Sequence, residues 1–154
     1  MQTSTPSSIK IRCRVTDGRH PRGLIDTSVV IDLERIDPTT LPAELAISAV
    51  TLAELATGPH ATSDPIERGR RQDRLQRVEA TFDALPVDAG AARAYGRISA
   101  TLASEGRKTP RRRAFDLLIA ATALDAELPL YTANAADFSD LDSLLDVVAV
   151  EPSP

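Results

Sequence analysis

The stretch Arg22-Gly-Leu-Ile-Asp26-Thr-Ser28 decides the fold of this chain. Its apolar residues predict a short strand. The carboxylate of Asp26 follows that strand directly, and the two hydroxyl residues after it can cap a helix that continues to about Arg35. The stretch is therefore typical of a strand that delivers a carboxylate to the start of a helix.

The rest of the chain repeats this alternation of strands and helices. Strands are predicted at 45–47, 130–132 and 147–150, a strand or turn at 85–87, helices at 50–57, 65–82, 88–104 and 111–126, and one helical turn at 135–138. Strands that alternate with helices favour an α/β fold, in which helices cover both faces of a parallel central sheet.

Length and composition are those of one ordinary globular domain. The chain has 154 residues, of which 42% are hydrophobic and 26% charged. No apolar run reaches the roughly 18 residues that span a bilayer, and no stretch is typical of a signal peptide, so we expect a cytoplasmic protein without a membrane segment. A single cysteine excludes an internal disulfide, and the two histidines are not at the spacing of zinc ligands.

Composition and charge are uneven along the chain. Residues 1–22 are rich in Ser, Thr, Pro and basic side chains without lasting periodicity, so we expect a flexible N-terminal arm there and the folded domain at 23–151. No Lys or Arg follows Arg113, whereas eight Asp and Glu residues do. An acidic segment of this kind requires a cation or a basic partner.

Three carboxylates are candidates for a functional site. Ligands of parallel sheets bind beyond the carboxyl ends of the strands, where Asp26 follows the first strand and Glu54 lies in the helix after the second. Asp116 precedes an apolar run in a helix that must be largely buried, where an ionised carboxylate is costly unless it is paired or binds a cation. The structural alternatives are a helix cap for Asp26, a solvated helix residue for Glu54, and a pair with Arg112 at i,i+4 for Asp116.

A fourth candidate segment follows the predicted strand at 130–132. Thr132, Asn134 or Asp137 can each face the site. The alternative is a strand-to-helix turn in which Asn134 or Asp137 satisfies backbone donors. Three or four acidic groups at one sheet edge repel one another unless a divalent cation lies between them. An all-oxygen set favours Mg²⁺ or Mn²⁺, which typically serve the hydrolysis of phosphate esters.

Together, these segments resemble the PIN-domain ribonucleases, and specifically the VapC-type toxins of bacterial toxin-antitoxin pairs. The matching motifs are Leu24-Ile-Asp26-Thr-Ser28, Ser48-Ala-Val-Thr-Leu-Ala-Glu54-Leu, Asp116-Leu-Leu-Ile-Ala-Ala and Tyr131-Thr-Ala-Asn134-Ala-Ala-Asp137-Phe138. They occur in family order over residues 24–150. The resemblance implies a PIN-like three-layer α/β/α sandwich with a mainly parallel central sheet.

The resemblance also implies roles for individual residues. It makes Asp26 and Asp116 ligands of Mg²⁺, for which Mn²⁺ can substitute, and Glu54 either a third ligand or the residue that orients the water. It adds Asn134 and Asp137 to the catalytic set. Asn134 takes the place of a fourth acidic residue, and Asp137 can compensate for its missing charge. We expect contacts with the substrate from Thr27, Ser28, Thr132 and Arg112.

Positive charge for a nucleic-acid backbone lies just before Asp116. An acidic cleft repels RNA, so cations must hold the phosphates, and residues 107–113 include five basic side chains. Arg112 is the best single candidate for a phosphate contact. The alternative for the whole run is a solvated surface.

Function and partners follow from the resemblance. It implies a Mg²⁺-dependent endoribonuclease toxin of a VapBC-type module, a homodimer that cleaves structured RNA such as tRNA or rRNA and is inhibited by a cognate VapB-type antitoxin. The alternative is an inactive PIN-like module that binds RNA or protein, which accounts for Asn134 but leaves the carboxylate of Asp116 unexplained.

Two further classes fit the sequence poorly. A phosphoacceptor receiver domain also places an Asp at a strand tip, but it needs a lysine near the last strand, and the only lysines here are Lys10 and Lys108. A phosphate-binding NTPase is excluded because the chain has no Gly-x-x-x-x-Gly-Lys stretch.

Overall fold

The central sheet is parallel throughout. A computed structural model describes residues 20–107 and 111–154, with Arg112 described in its backbone only. Within these residues the strands are β1 (Arg22–Ile25), β2 (Glu44–Ser48), β3 (Ala84–Leu85), β4 (Leu130–Thr132) and β5 (Val147–Ala149). They form one sheet in the order β3-β2-β1-β4-β5, and every pairing is parallel. The predicted α/β fold with a parallel sheet is confirmed.

The helices follow the predicted order with small differences at their ends. They are α1 (Thr27–Ile31), α2 (Ala49–Thr57), α3 (Pro65–Thr81), α4 (Ala89–Ser104) and α5 (Ala114–Asp125). The first helix ends at Ile31, short of the predicted end at Arg35, because the chain tightens into a 3-10 turn over Leu33–Arg35. Similarly, Arg111–Arg113 form a 3-10 turn ahead of α5, and the predicted turn at 135–138 extends over Ala135–Leu141.

Two apolar cores lie on opposite faces of the sheet, as the alternation of side chains along a strand requires. One core joins the strands to α4 and α5, through Leu24, Leu130, Ile98, Leu102, Leu117 and Leu141. The other joins them to α1, α2 and α3, through Ile25, Ile47, Tyr131, Val29, Leu55 and Val78. The molecule is therefore a three-layer α/β/α sandwich.

Short connections place the first two helices at the carboxyl edge of the sheet. Asp26 is the N-cap of α1, and Ser48 is the N-cap of α2, each accepting a backbone hydrogen bond of 3.1 Å from its helix. Asp88 caps α4 in the same way. The cap role considered for Asp26 is thus present, and it fixes one oxygen of the carboxylate at the end of β1.

No described helix combines the length and apolar character needed to cross a membrane. Residues 1–19 of the predicted N-terminal arm, and Lys108 of the basic run, lie outside the described residues. The backbone carbonyls of His20 and Pro21 accept hydrogen bonds from Ala43 and Glu44, just ahead of β1 and β2.

Candidate active site

The carboxyl ends of three neighbouring strands form the base of the candidate site. Strand β1 lies between β2 and β4, and all three run in the same direction. Asp26 follows β1, and its backbone N–H donates to the carbonyl of Tyr131 in β4 at 3.0 Å. Its side chain is therefore held centrally at this edge, where only 5% of the residue is exposed.

The hydroxyl of Ser28 connects Asp26 to the segment after β4. Oγ of Ser28 donates to Oδ1 of Asp26 at 2.5 Å and accepts from the backbone N–H of Ala133 at 3.1 Å. The N–H of Val29 also donates to Oδ1, at 3.1 Å. Because both bonds fall on Oδ1, the other carboxylate oxygen of Asp26 is the one left for a ligand.

Thr27 connects the same strand end to α2. Its Oγ1 donates to Oε1 of Glu54 at 2.7 Å and lies 3.2 Å from Oγ1 of Thr51. Burial raises the pKa of Glu54, the hydrogen bond from Thr27 lowers it, and the negative charges of Asp116 and Asp26 raise it further. Glu54 is thus a half-buried carboxylate within the electrostatic reach of both aspartates, and not the freely solvated residue considered as the alternative.

Asp116 lies in the first turn of α5 and is also half-buried. Burial raises its pKa, as do the charges of Asp26 and Asp137, whereas the charge of Arg113 lowers it. Asp26, Glu54 and Asp116, which we call the acidic cluster, therefore act on one another although they come from three separate segments.

A buried hydroxyl pair fixes α5 against the end of β2. Oγ of Ser48 lies 3.1 Å from Oγ1 of Thr122, and both residues are buried. Thr122 donates its proton to the carbonyl of Leu118 at 2.8 Å, so Ser48 must be the donor between the two hydroxyls. Sequence reasoning missed Thr122, since its position in an apolar helix gives no sign of a polar partner.

Three candidate residues, Thr132, Asn134 and Asp137, lie at the end of β4 and in the segment after it. Thr132 is fully buried, and its Oγ1 accepts from the N–H of Asn134 at 3.0 Å, a turn contact that was predicted for Asn134 or Asp137. Asn134 is exposed, and its side chain does not cap the 3-10 helix that follows. Asp137 is exposed, and its charge acts on Asp116. Asp137 therefore contributes negative charge to the site, while the substrate contact of Thr132 stays a prediction.

A group of two arginines and one aspartate lies beside Asp116 in a cleft. A cleft of about 440 Å³ is lined by Arg107, Arg113, Asp116, Ala136, Asp137 and Asp140. The side chain of Asp140 is 3% exposed and forms ion pairs with Arg113 at 3.2 Å and Arg107 at 3.3 Å. We call Arg107, Arg113 and Asp140 the arginine clamp.

Sequence reasoning did not single out Asp140. The available signal was the acidic segment after Arg113, which predicted a basic partner without identifying it. The side chain of Arg112, the predicted phosphate contact and alternative partner of Asp116, lies outside the described residues.

The donor chemistry of the acidic cluster fits a divalent cation. Its atoms are carboxylate oxygens, which Mg²⁺ and Mn²⁺ prefer. Burial and neighbouring negative charges raise the pKa values of Glu54 and Asp116, a cost that a bound cation would relieve. Within residues 20–107 and 111–154, no group of three or more Asp, Glu, His or Cys side chains is arranged to hold a metal. The set of three carboxylate ligands therefore stays a prediction.

Fold and site together define a class of protein, a three-layer α/β/α sandwich with carboxylates from separate segments at the carboxyl edge of a parallel sheet. The PIN domain family matches residues 23–144, and the chain belongs to that family.

Its relatives are VapC proteins. Ribonuclease VapC5 of Mycobacterium tuberculosis is 39% identical over 128 residues, which cover 81% of this chain and 91% of the relative. Ribonuclease VapC of Rickettsia bellii is 33% identical over 125 residues, which cover 79% of this chain and 91% of the relative. The predicted resemblance to VapC-type PIN proteins is confirmed.

The similarity extends to a solved structure. A crystal structure of VapBC-5 from Mycobacterium tuberculosis, a member of the VapBC family of toxin-antitoxin systems, matches with a TM-score of 0.75 and 37% identity. The match covers 84% of this chain and 99% of the other chain. The shared fold thus extends over nearly the whole of that chain.

Proposed function

We propose that this protein is a Mg²⁺-dependent endoribonuclease, the toxin of a VapBC-type module, which hydrolyses phosphodiester bonds in structured RNA such as tRNA or rRNA. The observation that carries the proposal is the acidic cluster, in which neighbouring negative charges raise the pKa values of Glu54 and Asp116 and no carboxylate forms an ion pair with a described basic side chain. The names of the relatives, ribonucleases VapC5 and VapC, support the same activity.

The side chains around Asp26 prepare it for this role. Ser28 and the N–H of Val29 hold Oδ1, so the carboxylate is oriented before any ligand arrives, which reduces the entropic cost of ordering the site. Asp26 and Asp116 would hold a divalent cation. When bound, the cation would place positive charge at the scissile phosphate and make a water molecule more acidic.

Glu54 would complete the cation site or orient the attacking water. Thr27 holds Oε1 of Glu54 at 2.7 Å, which leaves Oε2 to accept a hydrogen bond from that water. Because burial raises its pKa, Glu54 is also a better proton acceptor than a solvated carboxylate. Asp137 adds negative charge beside Asp116, in the segment where Asn134 is neutral.

Partners and location belong to the same proposal. We place the protein in the cytoplasm, as a homodimer inhibited by a VapB-type antitoxin. The similarity to a VapBC toxin-antitoxin structure supports an antitoxin partner. The acidic cleft needs a basic or metal partner, which is compatible with inhibition by a partner that occupies the site.

Cleavage of total bacterial RNA by the purified chain tests the proposal. We expect Mg²⁺ or Mn²⁺ to support cleavage, a chelator to abolish it, and Asp26→Ala or Asp116→Asn to reduce it roughly a thousandfold, since several kcal/mol of transition-state stabilisation are lost. Exposed Asp83, between α3 and β3, supplies the control Asp83→Asn, which should cleave like the parent.

The outcomes separate the alternatives. Cleavage that persists unchanged in chelator would contradict metal dependence. RNA that stays intact with every metal, although the antitoxin-free protein binds it, would instead identify the inactive PIN-like binding module.

A further inference from the structure

We infer that Arg113 and Arg107, held in place by Asp140, form the phosphate-binding side of the cleft and contact the RNA backbone next to the acidic cluster. In this inference, which rests on the proposed function, Arg113 and Arg107 are substrate-binding residues and Asp140 is a positioning residue.

The first support is the burial of Asp140. Its side chain is 3% exposed, and an ionised carboxylate that is so deeply buried is stable only with charged partners. Both partners line the cleft, and they reach Asp140 from sequence positions 33 and 27 residues away. The carboxylate thus gathers two cations at one place.

The second support is the orientation of Arg113. Nη1 donates to Oδ2 of Asp140 at 3.2 Å, and Nη2 donates to Oδ1 of Asp140 at 3.4 Å and to the carbonyl of Asp137 at 2.6 Å. A guanidinium has more N–H donors than these bonds use, so the group can bind a further anion while its plane stays fixed. A guanidinium with a fixed orientation can donate its remaining N–H groups to phosphate oxygens as charge-assisted hydrogen bonds.

The third support is proximity to the acidic cluster. Arg113 and Asp116 line the same cleft, and the charge of Arg113 acts directly on the carboxyl of Asp116. A phosphate bound by Arg113 would therefore lie beside the residues that we propose to cleave RNA. The exposed part of Arg107, 58% of its side chain, extends the positive surface toward solvent.

Helix α3 provides a comparison group that lacks this placement. Glu67 pairs with Arg71 at 3.0 Å and with Arg70 at 3.9 Å, so one carboxylate again faces two arginines. None of these three residues lines the cleft. Glu67→Gln therefore changes the charge by the same amount as Asp140→Asn, but outside the cleft.

The test measures binding of a fluorescently labelled oligouridylate by the full chain in chelator, where no cleavage is expected, at a series of salt concentrations. Arg113→Gln should weaken binding roughly tenfold and reduce the slope of log Kd against log salt by about 0.7, the value for one lost contact to a single strand. Arg107→Gln, at a half-exposed site, should change both quantities in the same direction.

Asp140→Asn separates positioning from simple charge. If the arginines act only through their electrostatic potential, removal of a negative charge strengthens RNA binding. The control Glu67→Gln, which removes a charge outside the cleft, should bind RNA equally or slightly more tightly than the parent. Positioning predicts the opposite, weaker binding by Asp140→Asn and a higher KM for cleavage with little change in kcat. Thermal unfolding checks that each variant is folded. If Asp140→Asn is not folded, the binding of Arg107→Gln tests the inference in its place.

Parent-like binding and salt dependence in folded Arg113→Gln or Arg107→Gln would overturn the inference, as would tighter binding in Asp140→Asn. A failure of the proposed function gives a different result. In that case the parent cleaves no RNA with any metal, although the variants can still bind the oligouridylate with the predicted order of affinities. A parent that cleaves RNA while all the variants bind like it would refute the arginine clamp alone.

Discussion

Asp116 of the acidic cluster lines the same cleft as the arginine clamp, but the carboxylates of the two groups have opposite surroundings. The side chain of Asp140 is 3% exposed and has two arginines within 3.3 Å. Glu54 and Asp116 are half-buried, and burial and neighbouring negative charge raise their pKa values. The difference teaches that burial alone does not identify a functional carboxylate. The informative feature is a set of carboxylates from separate segments that act on one another and, among the described residues, form no ion pair with a basic side chain.

The largest expected effect that tests this comparison is stabilisation by a cation. Mg²⁺ at about a hundredfold its Kd should raise the free energy of unfolding of the parent by about 2.7 kcal/mol, because only the folded chain brings the acidic cluster together. Asp116→Asn should lose most of this gain, whereas Asp140→Asn should keep it. Thermal unfolding with Mg²⁺ and with chelator measures the difference.

Equal stabilisation of Asp116→Asn and the parent would contradict the prediction, because it would place the cation elsewhere. Asp83→Asn controls for the general effect of removing one negative charge, and it should respond to Mg²⁺ as the parent does.

A smaller effect concerns stability without metal. Asp140→Asn should lower the free energy of unfolding by roughly 1–3 kcal/mol, since it leaves Arg113 partly buried without its partner, and the exposure of Arg107 keeps the cost below that of a fully buried pair. Asp116→Asn should leave stability unchanged or raise it, because it removes repulsion from Asp26 and Asp137. Urea denaturation in chelator measures both, and a loss of stability in Asp116→Asn would break the contrast.

The smallest effect is a difference in pH dependence. The pKa of Asp116 is raised above its ordinary value of 3.8, so the folded chain binds more protons than the unfolded chain between that value and the raised one. Its contribution to stability is therefore lost as the pH rises through this window. Glu54 behaves in the same way above its ordinary value of 4.5.

Asp116→Asn should consequently gain stability relative to the parent as the pH rises above 3.8, until the gain levels off above the raised pKa. Urea denaturation in chelator over a pH series measures this difference. A gain that is the same at every pH would show that the charge of Asp116 does not oppose folding.

Local patterns predicted most of the fold. The strand before Asp26, the caps at Ser48 and Asp88, and the strand at 130–132 lie within a residue of their predicted positions. Periodicity and capping act between residues a few positions apart, so they are readable in one sequence. The early end of α1 escaped prediction because a 3-10 turn has nearly the same local signals as an α-helical end.

Site residues were predicted less completely than the fold. The motifs identified the residues of the acidic cluster. They did not show whether Asn134 or Asp137 takes the fourth position of the site, or whether Thr132 contacts the substrate or forms part of a turn. In the structure, the charge of Asp137 acts on Asp116, and Thr132 is buried in the turn. These outcomes depend on the direction of side chains after β4, which the order of residues does not specify.

By itself, the sequence determined that strands alternate with helices, that carboxylates follow strand ends, and that the acidic segment after Arg113 lacks its own cations. Only the tertiary structure decided which partners meet. Ser28 meets Ala133 across 105 positions, Ser48 meets Thr122 across 74, and Arg113 meets Asp140 across 27. Secondary structure follows from interactions between near neighbours in the chain, whereas these contacts form only when helices pack on both faces of the sheet and bring distant side chains to one edge.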